Sequence, residues 1–394
     1  MSSPTYPRRF TNLVAARAAF GDRVDRIGAF LWKSDPLADA VVDWMMSAGP
    51  SGQKIIDQAL DRGIDSLDQP PEALRALFAV VDRIPAWVDF QTLSQGGEVL
   101  LRAGILGGFV LGARSIIYGY TSPGGNKPLV FSGRLREQAA RRLHETSRFV
   151  EAVSQRDGMR RFSDGFKITL KVRLMHAMVR KMILRSSRWQ SDDWGLPINQ
   201  HDMVATTLLF SMVLLDGLRQ LGCAISPSDS DDYMHLWRYV GWLIGVDEEL
   251  LPSNEAEGRR YALVVKVTQG PPDEDARNLT QALLDAPMTE AKSRFEKSRA
   301  WIISQLGRGL CRGMMGDEIA DQLGVQHTAF DYVVPTLAGM VWPVEQVRRG
   351  GRLNPFFTAI GRRYWSEIVQ AGLGRNPATF AAPDRLGGHH RAAS

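Results

Sequence analysis

Cysteine is nearly missing: the 394 residues hold two, Cys223 and Cys311. Two thiols allow one bridge but no disulfide framework, and without a Cys-x-x-Cys-His a covalently attached c-type haem is excluded. Histidine is scarce as well, with seven residues. Neither His-Glu-x-x-His nor a paired Glu-x-x-His occurs, so neither a zincin site nor a di-iron carboxylate bundle is supported. Nor does a Gly-x-Ser-x-Gly elbow, P-loop or Rossmann glycine fingerprint stand in a strand–helix context, which argues against hydrolase and nucleotide chemistry. Basic runs are lacking: Lys+Arg 48 and Asp+Glu 43 are interleaved, giving a net charge of +5 and a pI near 9.3. That balance carries no nucleic-acid footprint. The first twenty residues have no long apolar core and are not a signal peptide. Arg8-Arg9-Phe10 faintly resembles a twin-arginine export signal, but Arg17, Asp22, Arg23 and Asp25 follow where an apolar core belongs. Phe90–Tyr120 is the most apolar stretch. Arg102 and Arg114 interrupt it, and the run between them is too short to cross a bilayer, so a buried helix is expected and no transmembrane segment.

What is present is enough apolar material for a large core, 44% of residues, with glycine and proline scattered and no internal repeat. Strand-like alternation is sparse throughout. The expected fold is therefore all-α, one globular helical domain over 35–375, with an N-terminal arm (1–34) and a loose C-terminal tail (376–394) containing His389 and His390. Asp35-Pro36 reads as an N-cap followed by proline at the first helical position, opening a helix to about Ser47. Gly49-Pro50-Ser51-Gly52 breaks it before another from Gln53. Further helices are expected over 132–154, from Asn199 to Leu221, from Asp231 to Val246, and after Asn354. Gly104, Gly108 and Gly112 share one face, which serves close helix packing, its commoner use, or the approach of a flat ligand.

The stretch that stands out is Arg173-Leu-Met-His176-Ala-Met-Val-Arg180, within a helical run from Phe166 to Leu184. Val172, Met175, Val179, Met182 and Ile183 recur at three- and four-residue spacing and form one apolar stripe. His176 lies on that stripe between two arginines. A neutral imidazole in an apolar wall can ligate a metal, most naturally a haem iron, and flanking guanidiniums suit haem propionates. The same pattern also describes a satisfied core histidine with arginines in ordinary salt bridges.

Arg173-x-x-His176-x-x-x-Arg180, followed by Trp194-Gly195-x-Pro197-Ile198-Asn199-Gln200, resembles the core of the latex-clearing protein (rubber oxygenase) family, a group that extends to the MpaB-type oxygenases of fungal terpenoid pathways. The resemblance implies an all-helical protein, globin-like in holding a non-covalent haem b within a helical bundle, that cleaves isoprenoid double bonds with dioxygen. It implies that His176 is the proximal iron ligand. Arg142 and Thr146, one turn apart on the preceding helix, would stand on the distal side. Arg173 and Arg180 would fix the proximal helix or contact the propionates. The pattern departs at Glu145, where rubber oxygenases of the best-known type carry a lysine immediately before the threonine. Glu145 can be read as a base for an allylic proton, or as the ion-pair partner of Arg141 or Arg142 on one helix face. His144 is read as a surface residue on the far side of the helix rather than an axial ligand, and His235 as a polar partner of Asp231 rather than a second ligand.

The expected partners are dioxygen and an apolar polyisoprenoid, with aldehyde- and ketone-ended fragments as products. A smaller terpenoid, lipid or secondary metabolite is the alternative substrate, and an apolar-ligand-binding helical protein the non-enzymatic one. The resemblance implies secretion for the rubber oxygenases, which are typically exported. Secretion is expected if the native precursor carried an export signal, and a cytoplasmic location otherwise.

Overall fold

The computed structural model describes residues 5–131, 135–374 and 378–380, and the side chains of 135–138 lie outside that description. The fold is all-α: among the described residues there is no strand, only an isolated bridge between Phe10 and Gln269. His389 and His390, expected in the tail, fall outside the described residues. Residues Leu13–Phe20, Arg23–Ala29 and Phe30–Trp32, within the segment expected as an arm, are helical and send Ala16, Val24, Ile27, Phe30 and Leu31 into the main core.

The helix Pro36–Ala48 starts as its sequence dictates. Asp35 is in extended conformation, and its carboxylate accepts from Ala38 N at 3.3 Å with Pro36 in the first turn. Gly49 alone makes the next break, with φ +63, and Pro50 already begins the following helix, Pro50–Arg62. The His176 helix runs Asp164–Arg185; of the stripe its periodicity predicts it buries Val172, Val179 and Ile183, while Met175 and Met182 are half-buried. It packs against Pro36–Ala48, against the Arg142 helix Leu135–Ser154, and against Pro227–Leu243 and Lys127–Phe131.

Three expected helices differ. Phe90–Tyr120 is not one rod. Phe90–Ala103 turns through 89° at Gly104 into Ile105–Tyr120, with a π-helical turn at Leu111–Ser115. Gly104 (φ +52) takes a conformation that L side chains resist, and the Cβ it lacks would lie 3.6 Å from Gly361 Cα of the helix Asn354–Leu373. The glycine stripe is therefore divided. Gly104 and Gly108 admit Gly361 and Tyr364, whereas nothing lies within 4 Å of where a Gly112 Cβ would stand. The helix after Asn199 is broken at Ser211 into Gln200–Phe210 and Met212–Gln220, and Ser211 Oγ donates to Thr207 O at 2.9 Å. The helix expected from Asp231 starts earlier, at Pro227, because Ser226 and Asp229 form a capping box.

By length and composition, Gln200–Gln220 and the bent pair pass as membrane spans, and 67% of the Gln200–Gln220 window is buried in the fold. Cys223 and Cys311 are both free thiols.

Candidate active site around His176

Two buried ion pairs fasten the His176 helix. Arg173 meets Asp35 in a bidentate fork, Nε to Oδ2 at 2.6 Å and Nη2 to Oδ1 at 2.9 Å, and Nη1 donates to Leu243 O at 3.2 Å. Two turns on, Arg180 Nε donates to Asp39 Oδ1 at 2.9 Å and Nη1 to Ile198 O at 2.8 Å. Asp35 and Asp39 are one turn apart on Pro36–Ala48, so the two helices are clasped along one seam. Of the roles the resemblance offers these arginines, this geometry is the one that fixes the helix. Both guanidiniums already face carboxylates of this chain, and no propionate contact is needed to account for their burial.

The Trp194–Gln200 motif braces the same seam. Trp189 Nε1 donates to Gly195 O at 2.8 Å, and Trp194 stacks edge-on against Trp189 and Phe131. Ile198 takes φ +52, and its carbonyl is the one that Arg180 binds. Asn199 caps the next helix at Asp202 N, 2.9 Å. Gln200 Nε2 donates to Ser34 O at 3.0 Å and to Gly245 O at 2.8 Å, and its Oε1 accepts from Asp247 N at 2.8 Å. Gly245 (φ +95) is where this wiring requires glycine, because a Cβ there would collide with the Asp35 carboxylate and lie 2.6 Å from Arg173 Nε.

His176 sits midway along the clasped helix. Its Nδ1 is buried without a hydrogen-bond partner. Burial, reinforced by the Arg180 charge and opposed by Asp35, depresses its pKa to about 4, so the ring is neutral at neutral pH. A buried, neutral imidazole with an unsatisfied nitrogen is suited to a metal. Among the described residues, no three or more His, Cys, Asp or Glu come together to hold an ion. A metal at His176 must therefore bring most of its own ligands, as the iron of a porphyrin does. On that test the residues present fit haem.

The preceding helix, which packs on the His176 helix, carries Arg142, Glu145 and Thr146. Arg142 Nη2 donates to Leu129 O at 3.3 Å; burial lowers its pKa, against the charges of Tyr120 and Glu145. Burial likewise pushes the Tyr120 hydroxyl up to about 12. His176, Arg142 and Tyr120 are each half-buried, and burial dominates the pKa shift of each. Leu129 belongs to Lys127–Phe131, whose Phe131 packs on Met175, Val179 and Ile183, so Arg142 is carried to the neighbourhood of the His176 helix. Thr146, one turn beyond Arg142, is half-buried. Glu145 pairs with Arg141 at 3.1 Å.

The other histidines lie elsewhere. His144 is not a surface residue: its ring lies against Gly372, with Nε2 3.6 Å from Glu290. His235 stacks edge-on against Trp87 at 5.6 Å instead of pairing with Asp231.

The family model described as "ER-bound oxygenase mpaB/B'/Rubber oxygenase, catalytic domain" matches residues 99–346, which include Arg142, Glu145, Thr146, Arg173, His176 and Arg180. The chain belongs to this oxygenase family. A rubber oxygenase of Streptomyces sp. (strain K30) is 23% identical over 342 residues, 82% of this chain and 77% of that protein. A solved structure of latex clearing protein LCP in the closed state shares the fold, with a TM-score of 0.64 and 20% identity, over 86% of this chain and 90% of that one. The enzyme is thus an oxygenase of all-α architecture. Asp35 and Asp39, the acidic halves of the clasp, lie before the matched region. The sequence reading missed their role, although two acids one turn apart at a capped helix start could have suggested partners for two buried arginines. It also missed Tyr120 and Gly245, for which no local signal exists.

Proposed function

We propose that this oxygenase binds haem b through His176 and uses dioxygen to cleave a carbon–carbon double bond of a polyisoprenoid. One C=C and one O=O bond break and two carbonyl groups form, so both oxygen atoms end in the products. The observation that carries the reading is the buried, neutral, unpartnered His176. Haem, when bound, supplies the redox-active iron for dioxygen chemistry.

The chain's own residues do the rest. The Arg173–Asp35 and Arg180–Asp39 clasps hold the helix so that the imidazole presents a fixed nitrogen. Arg142 and Thr146 orient dioxygen by hydrogen bonds from the facing helix. The half-buried Met175 and Met178 beside His176 give it apolar surroundings. Glu145 is the carboxylate next to Thr146, and we assign it the removal of an allylic proton, which it accepts from within its ion pair with Arg141 and returns to the same carbon as the two carbonyls form, so that no proton is lost overall.

One observation favours a second reading, a smaller terpenoid, lipid or secondary metabolite as substrate. This chain has Glu145 where, by the resemblance, rubber oxygenases of the best-known type carry a lysine. The test has two parts. Purified protein, or protein given haem, should show a Soret band that His176→Ala abolishes; colourless protein after haem addition refutes the cofactor. Incubation with polyisoprene latex should release aldehyde- and ketone-ended fragments. A Soret band without such fragments moves the assignment to the smaller substrate.

A further inference from the structure

The helix Val333–Arg348 is apolar on both sides: Val333 and Leu337 pack against the core together with the buried Val334. The residues it buries are Val334, Glu345 and Arg348. Arg348 Nε donates to Glu345 Oε1 at 2.8 Å and Nη2 to Ala224 O at 2.8 Å, while Glu345 Oε2 accepts from Ala224 N at 2.8 Å. The outward face carries Met340, Val344 and Val347, exposed by 58%, 47% and 69%, at four- and three-residue spacing. Trp342 (59%) extends the apolar surface round the helix and Tyr332 (81%) stands at its start. A surface helix ordinarily turns its apolar stripe inward. One that already packs apolar residues inward and still displays Trp, Met and Val outward presents a face meant to be covered.

The charge beside that face indicates what covers it. Arg349 and Arg352 follow directly in the turn; both are exposed and neither has an ion-pair partner among the described residues. From Tyr332 to Leu353 the only acid is Glu345, already committed to Arg348. Two copies meeting about a two-fold axis would bring these arginines together with no acid to answer them. The sequence after Phe380 has one large apolar residue, Leu386, and is itself net positive, so it is a poor cover.

We propose that this face docks on an anionic lipid surface. The helix lies in the headgroup plane with Met340, Val344 and Val347 among the acyl chains. Trp342 and Tyr332 sit at headgroup level, and Arg349 and Arg352 meet lipid phosphates.

The test is sedimentation of the full chain with vesicles of phosphatidylcholine alone and of phosphatidylcholine mixed with phosphatidylglycerol. Binding is expected to the mixed vesicles and to weaken with added salt. Each arginine near such a surface contributes about fivefold, so R349Q/R352Q should weaken binding about 25-fold. V344E/V347E should abolish it while leaving the circular dichroism and melting temperature unchanged, because both valines are exposed. No binding, equal binding to neutral vesicles, or binding that V344E/V347E leaves intact overturns the proposal. So does a wild-type dimer that V344E/V347E converts to monomer, which would make the face a contact between copies.

Discussion

Asp35→Ala tests the clasp that holds the candidate ligand helix. Asp35 does two jobs, pairing bidentately with Arg173 and capping Pro36–Ala48. The side chains of Asp35 and Arg173 are 3% and 6% exposed, so solvent screens the pair little. Removing one partner of such a pair leaves a buried charge uncompensated, at about 3–5 kcal/mol. Loss of the cap adds about 1 kcal/mol. The expected destabilisation is about 4–6 kcal/mol, read as a lowered urea midpoint at unchanged slope. Arg173→Met placed on top should recover part of the loss, with a coupling of at least about 2 kcal/mol, because it removes the stranded cation. A loss below about 1 kcal/mol, or strict additivity of the two substitutions, would refute the reasoning. The same variants should lose haem affinity if the clasp sets the pose of His176.

Further predictions rest on single sites. The folded-state pKa of His176, about 4, lies below its ordinary value of 6.5. The unfolded chain therefore binds the extra proton first: the stability of haem-free protein is fully present above about pH 6.5 and declines as pH falls towards 4, by about 3 kcal/mol in total. His176→Leu should flatten that slope, measured by urea unfolding at a series of pH values, and an unchanged slope refutes the assignment. Gly245→Ala should destabilise by at least about 2 kcal/mol, since it meets both an unfavourable φ and the Asp35–Arg173 fork; a wild-type melting curve would show that the fork is not as tight as described. Glu145→Gln should slow double-bond cleavage by about a hundredfold with little change in the Soret band. An unchanged rate removes Glu145 from the chemistry and leaves it as the ion-pair partner of Arg141.

The helical class and the apolar stripe around His176 were legible in the sequence because both are local and periodic. The cap at Asp35 was legible for the same reason. Breaks were read less well. Gly104 and Ser211 lie inside stretches whose composition is continuous, and each break depends on something outside the stretch or on a carbonyl one turn back: Gly361 crossing at the first, Thr207 O taking the serine hydroxyl at the second. The candidate site was half legible. His176 announced itself as a polar group on an apolar face. The partners of its two arginines did not, because Asp35 and Asp39 sit about 140 positions earlier and only the folded chain brings them near. His235 was matched to Asp231 by spacing alone, and the aromatic surface of Trp87, from a distant segment, took it instead.

The acids of the clasp have a practical consequence for anyone dissecting this oxygenase. Asp35 and Asp39 precede residue 99, where the catalytic-domain match begins. A fragment cut to that boundary would keep His176, Arg142 and Thr146 yet strand two guanidiniums in an apolar interior. Such an excised piece should come out as insoluble or haem-free material, and a minimal active unit has to begin upstream of Asp35.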